Sequence, residues 1–305
     1  MNRPSFIRWN LVVRLPIALA GLLAIVGLSG FESYRYPLET VLRDPALQRR
    51  VREATESGQD PTLYGDHHDI AKECLSSVGM NARFIEGISR TASDIDYDNF
   101  VQKKHYEAQN HCDRNMKTTD AQAFRDCLVY FRKRVAEAWN TAAYGSQPDE
   151  ANFVKILPRA LHAQADFFSH SNFIDLAPEA QDAFLGCWTR LGATQAGTHD
   201  DLYKAIDDRD HSCLGPDSDG YVKLLKVTGF DPTATNWYRP PDVPYPHAQD
   251  AKDGPTYPPG PDKYLQARRA AVGACKSAMT DFKRICMLDS ICSKRYQVFF
   301  SDASP

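Results

Sequence analysis

The run Ala160-Leu161-His162-Ala163-Gln164-Ala165-Asp166-Phe167-Phe168-Ser169-His170 decides how this chain is read. His162, Asp166 and His170 follow one another at steps of four. At 3.6 residues per turn each step advances about 40° around a helix axis, so the three side chains leave from one side. The flanking residues support a helix from Glu150 to Ser169, because Phe153, Ile156, Leu157, Leu161, Ala165 and Phe168 recur at helical spacing. Pro158 lies inside it, lacks an N–H and is expected to kink it. A polar face on a surface helix would account for Arg159 and Gln164, but not for a polar stripe bordered by Phe167, Phe168 and Phe173. Two imidazoles and a carboxylate among aromatics need partners for their polar atoms. A metal ion supplies them, and nitrogen with oxygen ligands suits zinc.

Outward from this run the same periodicity returns. Ile70, Ala71, Cys74, Leu75 and Val78 mark a helix over Asp69 to Val78, and Phe124, Cys127, Leu128, Phe131, Val135 and Trp139 mark one from Ala121 to about Ala143. A further helix runs from Lys263 to about Cys286, with Leu265, Val272, Cys275, Met279 and Phe282 at core spacing. No strand-like alternation recurs and no fixed repeat is visible, so the expected architecture is an all-α helical bundle. Residues 230–262 hold nine prolines and are expected to form a long surface excursion. The expected order is a leader over 1–29, an N-terminal arm over 30–60, a metal-binding helical domain over 61–229, the excursion over 230–262, and a C-terminal helix with a tail over 263–305.

The leader carries Arg3, Arg8 and Arg14 without an acid, then an uncharged apolar run from Leu15 to Gly30. That is the layout of a signal peptide or an uncleaved N-terminal anchor, and it implies export to a periplasmic or extracellular space. Cleavage would remove three Arg and no acid, taking the net charge from −3 to −6. An acidic mature chain argues against a nucleic-acid coat or a polybasic membrane binder, and composition does not set an oligomeric state. Eight cysteines behind an export signal suggest up to four disulfides, with Cys112–Cys127 and Cys187–Cys213 as short-loop candidates.

Eight of the nine histidines lie between positions 67 and 211. The segment Ala160 to Leu176, with its aromatic pair followed by His170-Ser171-Asn172, closely resembles the central motif of the zinc-dependent phospholipase C superfamily. The likeness is to the branch that includes the fungal heterokaryon-incompatibility C proteins. Asp66-His67-His68-Asp69-Ile70-Ala71 resembles that family's early segment, in a register that makes His67 the ligand and His68 a neighbour. Asp94-Ile95-Asp96-Tyr97 and Asn110-His111-Cys112-Asp113 resemble its paired aspartate and histidine ligands. There Asp96 fits the separation better than Asp94, and His105 is a rival to His111. His199, in Thr198-His199-Asp200-Asp201, resembles a late ligand.

The resemblance spans about Asp66 to His211 and implies a bundle with two or three zinc ions (Zn2+). It implies that Asp166 bridges two metals, with Asp96, His111 and His162 on one and His67 on the other, while His170 and His199 hold a further zinc. Asp94 is the implied general base. The implied partner is a phosphodiester, phospholipid first, with peripheral membrane contact and no stable nucleic-acid complex. The same ligand set serves single-strand nucleases, and a third reading is an exported domain that metal and disulfides stabilise without turnover. Two departures favour that third reading. The family carries Glu or Asp four residues after the late histidine, where this chain has Tyr203, leaving Asp200, Asp201, Asp207 or His211 to substitute. The family's secreted hydrolases also use a mature N-terminal Trp as a ligand, and no Trp follows the expected cleavage point.

Overall fold

The architecture is carried by long helices whose apolar stripes face one another. The computed structural model describes residues 66–100, 108–115, 118–144, 146–192, 197–207, 219–230 and 261–301. The leader, the arm, most of the Pro-rich excursion, and His105, His211 and Cys213 lie outside these. In chain order the helices are α1 (Asp66–Ser77), α2 (Ala82–Phe100), α3 (Asp120–Ala143), α4 (Glu150–Ser169), α5 (Pro178–Thr189), α6 (His199–Ile206), α7 (Asp219–Val222), α8 (Pro261–Leu288) and α9 (Cys292–Phe299). Of the described region 77% is helical, which makes the fold all-α. The only sheet among the described residues is a parallel pair of two-residue strands, β1 (Arg114–Asn115) and β2 (Gly229–Phe230).

Helix α4 is the centre, packed against α1, α2, α3 and α8. It runs on through the buried Pro158, although proline lacks the N–H for an intrahelical bond. Thr119 caps α3 by accepting from the Gln122 N–H, and Asp149 caps α4 by accepting from the Asn152 N–H. The backbone bond from Asp149 N to Thr141 O closes the turn between them, so α3 and α4 run back along each other. Phe124, Phe167, Phe184 and Trp188 interlock mostly at tilted or edge-on angles near the C-terminal end of α4, and Phe84, Phe153 and Phe299 pack at its N-terminal end.

Helix α2 covers the Asp94–Tyr97 segment that a loop reading would also have allowed. Phe84, Ile88 and Ala92 form its buried stripe at steps of four, and the intervening Gly87, Ser89, Thr91 and Ser93 mask that stripe in the sequence. A Cβ on Gly87 would come within 3.2 Å of Val154, so the missing side chain lets α2 lie close against α4.

Disulfides join Cys74 on α1 to Cys275 on α8, Cys112 to Cys127 on α3, and Cys286 to Cys292. The expected short-loop pair Cys112–Cys127 is thus present, and Cys187 is also disulfide-bonded. No helix among the described residues is long and apolar enough to cross a membrane.

Candidate metal centre

The stripe on α4 points into the bundle. His162 and Asp166 are buried on the helix, and His170 caps its end, its backbone N–H bonded to Asp166 O at 2.6 Å. His67 enters from the first turn of α1, placing Nε2 2.8 Å from Asp166 Oδ1. His111 enters from the turn between α2 and α3, placing Nδ1 3.1 Å from Asp166 Oδ2. His162 Nε2 lies 3.0 Å from the same Oδ2, and His170 Nε2 lies 3.8 Å from Oδ1. One carboxylate therefore meets four imidazoles, two at each oxygen.

Backbone contacts settle how two of these rings are turned. His162 Nδ1 donates to Ala92 O on α2 at 2.8 Å, and His170 Nδ1 donates to His111 O at 2.6 Å. A carbonyl oxygen only accepts, so each ring carries its proton on Nδ1 and, when neutral, turns the Nε2 lone pair toward Asp166. His162 Nε2 is also 3.1 Å from His111 Nδ1. Electron-rich atoms at such separations need a proton or a cation between them. His111 Nδ1, His162 Nε2 and Asp166 Oδ2 can share one dication, whereas several buried imidazolium ions would each carry a desolvation cost.

The spacing fits. Tetrahedral ligands about 2.0–2.1 Å from zinc lie roughly 3.3 Å apart, and the His162, His111 and Asp166 Oδ2 atoms are mutually 3.0–3.1 Å apart. His67, His162 and Asp166 likewise offer three ligand atoms within 4.8 Å of one another and can hold a metal ion. Burial by itself would raise the Asp166 pKa. The positive potential of His162, His170 and His67 and the hydrogen bond from His111 outweigh it and hold the carboxyl well below the usual carboxylate range, ready as an anion.

No protein-family model, curated protein or solved structure matches this chain. The reading of the site therefore stands on its own residues.

The structure brings together His67, His111, His162, Asp166 and His170, and it sends His68 elsewhere, to Asp69 at 3.1 Å and Glu86 at 3.5 Å. Asp94 is half-buried on α2, two residues beyond the Ala92 carbonyl, and Asp96 is on the same helix with its side chain outside the described atoms. His199 is not at this centre. It stacks on Trp139 with ring centroids 4.6 Å apart and donates from Nε2 to Asn140 Oδ1 at 2.9 Å. Those partners lie 12 and 13 residues along α3 from Cys127, whose disulfide leads to His111, a distance of roughly 20 Å at 1.5 Å per residue. Thr198 and Asp201 form a reciprocal cap on α6, so Asp201, one of the acids that could have partnered His199, serves the helix terminus. Tyr203 packs against the core. Three contributors to the centre had no place in the sequence reading: the Ala92 carbonyl, Asp113 and Thr228. Only Asp113 had a signal, as the last residue of Asn110–Asp113.

Proposed function

We propose that this chain is an exported zinc-dependent phosphodiesterase of the phospholipase C type, with His67, His111, His162, Asp166 and His170 holding the metal. The observation that carries the reading is the pair of backbone-locked imidazoles: His162 and His170 both have Nδ1 tied to a carbonyl and Nε2 turned to one buried carboxylate. Metal-binding histidines are typically oriented in this way. Each oxygen of Asp166 faces its own histidine pair, which suits a carboxylate shared between two ions. Zinc held there would supply Lewis acidity to a phosphodiester and lower the pKa of water toward 7. Around it Asp166 stays ionised, the two locked rings keep their protons away from the centre, and the half-buried Asp94 is the candidate to take a proton from attacking water. Phospholipid is the first substrate class and single-stranded nucleic acid the nearest rival, by sequence resemblance alone.

A second reading has its own support. His111, His162 and Asp166 are each only 1% exposed, and closed sites are the mark of structural zinc. His67, with its side chain 15% exposed, is the one ring of the four that opens noticeably toward solvent. The test is to count zinc by elemental analysis in the purified protein and assay a chromogenic phosphodiester, phosphatidylcholine vesicles and single-stranded DNA. Two or more zincs with chelator-sensitive cleavage support the enzyme. Bound zinc with no cleavage of any of the three favours the metal-stabilised domain, and absence of zinc overturns both.

A further inference from the structure

His170 differs from the other rings in what stands behind it. Its Nδ1 lies 2.6 Å from the His111 carbonyl and also 3.4 Å from Asp113 Oδ1. Asp113 is itself buried, at 2% exposure. A buried carboxylate is costly unless hydrogen bonds or charge compensate it. Here the Thr228 hydroxyl donates to the same Asp113 Oδ1. Thr228 is fixed on both sides by backbone bonds, its N–H to His170 O at 2.7 Å and its carbonyl to Arg114 N at 2.7 Å. The neighbouring Ser171–Val227 bridge continues that stitching. Thr228 thus joins the end of α4 to the His111–Arg114 turn just where His170 meets Asp113.

We infer that Asp113, held in place by the Thr228 hydroxyl, is a positioning residue that orients and polarises His170 as a metal ligand. The carbonyl of His111 would alone fix the tautomer of His170. A carboxylate adds negative charge behind Nδ1, which raises electron density at Nε2 and strengthens it as a donor to a metal. A purely architectural role would be met by any acceptor of the same shape at position 113, so the charge itself is the testable feature. The inference rests on the reading of the Asp166 cluster as a metal centre.

The experiment measures zinc affinity by competition with a chromogenic chelator, and the absorption of the cobalt-loaded protein, for wild type, Asp113→Asn, Thr228→Val and Thr228→Ser. Asp113→Asn keeps the shape and the accepting oxygen and is expected to weaken zinc binding about 10–100-fold, the range for groups that support a ligand from behind. Thr228→Val should weaken it in the same direction, while Thr228→Ser, which keeps the hydroxyl, should restore wild-type affinity. The cobalt spectrum should shift in Asp113→Asn and Thr228→Val but not in Thr228→Ser. If Asp113→Asn fails to fold, the contrast between Val and Ser at position 228 decides. Wild-type zinc binding with unchanged affinity and spectrum in Asp113→Asn, or in Thr228→Val where Asp113→Asn does not fold, overturns this inference and leaves the metal centre standing. A wild type that binds no zinc overturns both.

Discussion

Two histidine environments, the Asp166 cluster and the lone His199, are linked by helix α3 and built on opposite principles. At the Asp166 end, His162 and His170 are held from behind by backbone carbonyls and turn Nε2 toward a buried carboxylate. At the other end, His199 lies between Trp139 and Tyr144, donates to an amide oxygen, and has Nδ1 3.9 Å from Asp289 Oδ2. Asp289 is occupied in turn by the N–H groups of Ile291 and Cys292, at the start of α9. A histidine near acids thus meets a buried carboxylate among other imidazoles in one place and an aromatic pair beside a helix cap in the other. The neighbours decide which: converging nitrogens need a proton or a cation between them, whereas an imidazole against an indole is satisfied by stacking and one hydrogen bond.

The largest expected effect that separates the two comes from Asp166→Asn. Loss of the charge common to four imidazoles should abolish stoichiometric zinc binding and destabilise the metal-free protein by about 3–5 kcal/mol, the cost of breaking a buried ion pair. Because the folded pKa of Asp166 is depressed, its contribution is present above the unfolded value of about 3.9 and is lost as pH falls through the folded value. In chelator, the melting-temperature gap between wild type and Asp166→Asn should hold from pH 7 to about 4 and narrow below that. A gap that narrows between pH 7 and 5 would contradict the assigned anion.

Disulfides sharpen the contrast next. Replacing Cys112 and Cys127 by Ser opens a loop with a sequence separation of 15 and is expected to cost about 3 kcal/mol. It also releases the backbone at position 112, next to His111 and held at φ 49° in the intact protein, so zinc affinity should fall as well. Replacing Cys286 and Cys292, which flank Asp289 at a separation of 6, should cost about 2 kcal/mol and leave zinc content unchanged. Equal loss of zinc from both pairs would mean that the centre responds to general loosening rather than to the placement of His111.

Smaller effects fall at His199 and at the surface. His199→Gln is expected to lose about 1–2 kcal/mol of stacking and hydrogen bonding with full zinc retention, as read by thermal melts and elemental analysis. A drop in zinc would return His199 to the metal centre. His68→Ala removes surface contacts to Asp69 and Glu86 and should change stability by less than about 1 kcal/mol, with zinc unaltered.

The sequence by itself determined the helices with strong apolar stripes, above all α4, whose bounds Glu150 and Ser169 are the expected ones. It also determined the shared face of His162, Asp166 and His170, because that face follows from a local period of 3.6 residues. Helix α2 was harder to see, since small polar residues interrupt its stripe and its burial depends on α4. Only the tertiary structure decided which distant groups reach Asp166. His67 and His111 lie 99 and 55 residues before it, and their arrival depends on how α1 and the turn before α3 pack, with Cys112–Cys127 fastening the latter. The Ala92 carbonyl and Thr228 hydroxyl carry no residue-type signal at all, because almost any residue offers a carbonyl and many offer a hydroxyl. His199 makes the same point in reverse: its local motif reads as a ligand followed by acids, yet its neighbours in space are Trp139, Asn140 and a helix cap. Periodicity is a property of the chain, but coordination is a property of the space that several chain segments enclose.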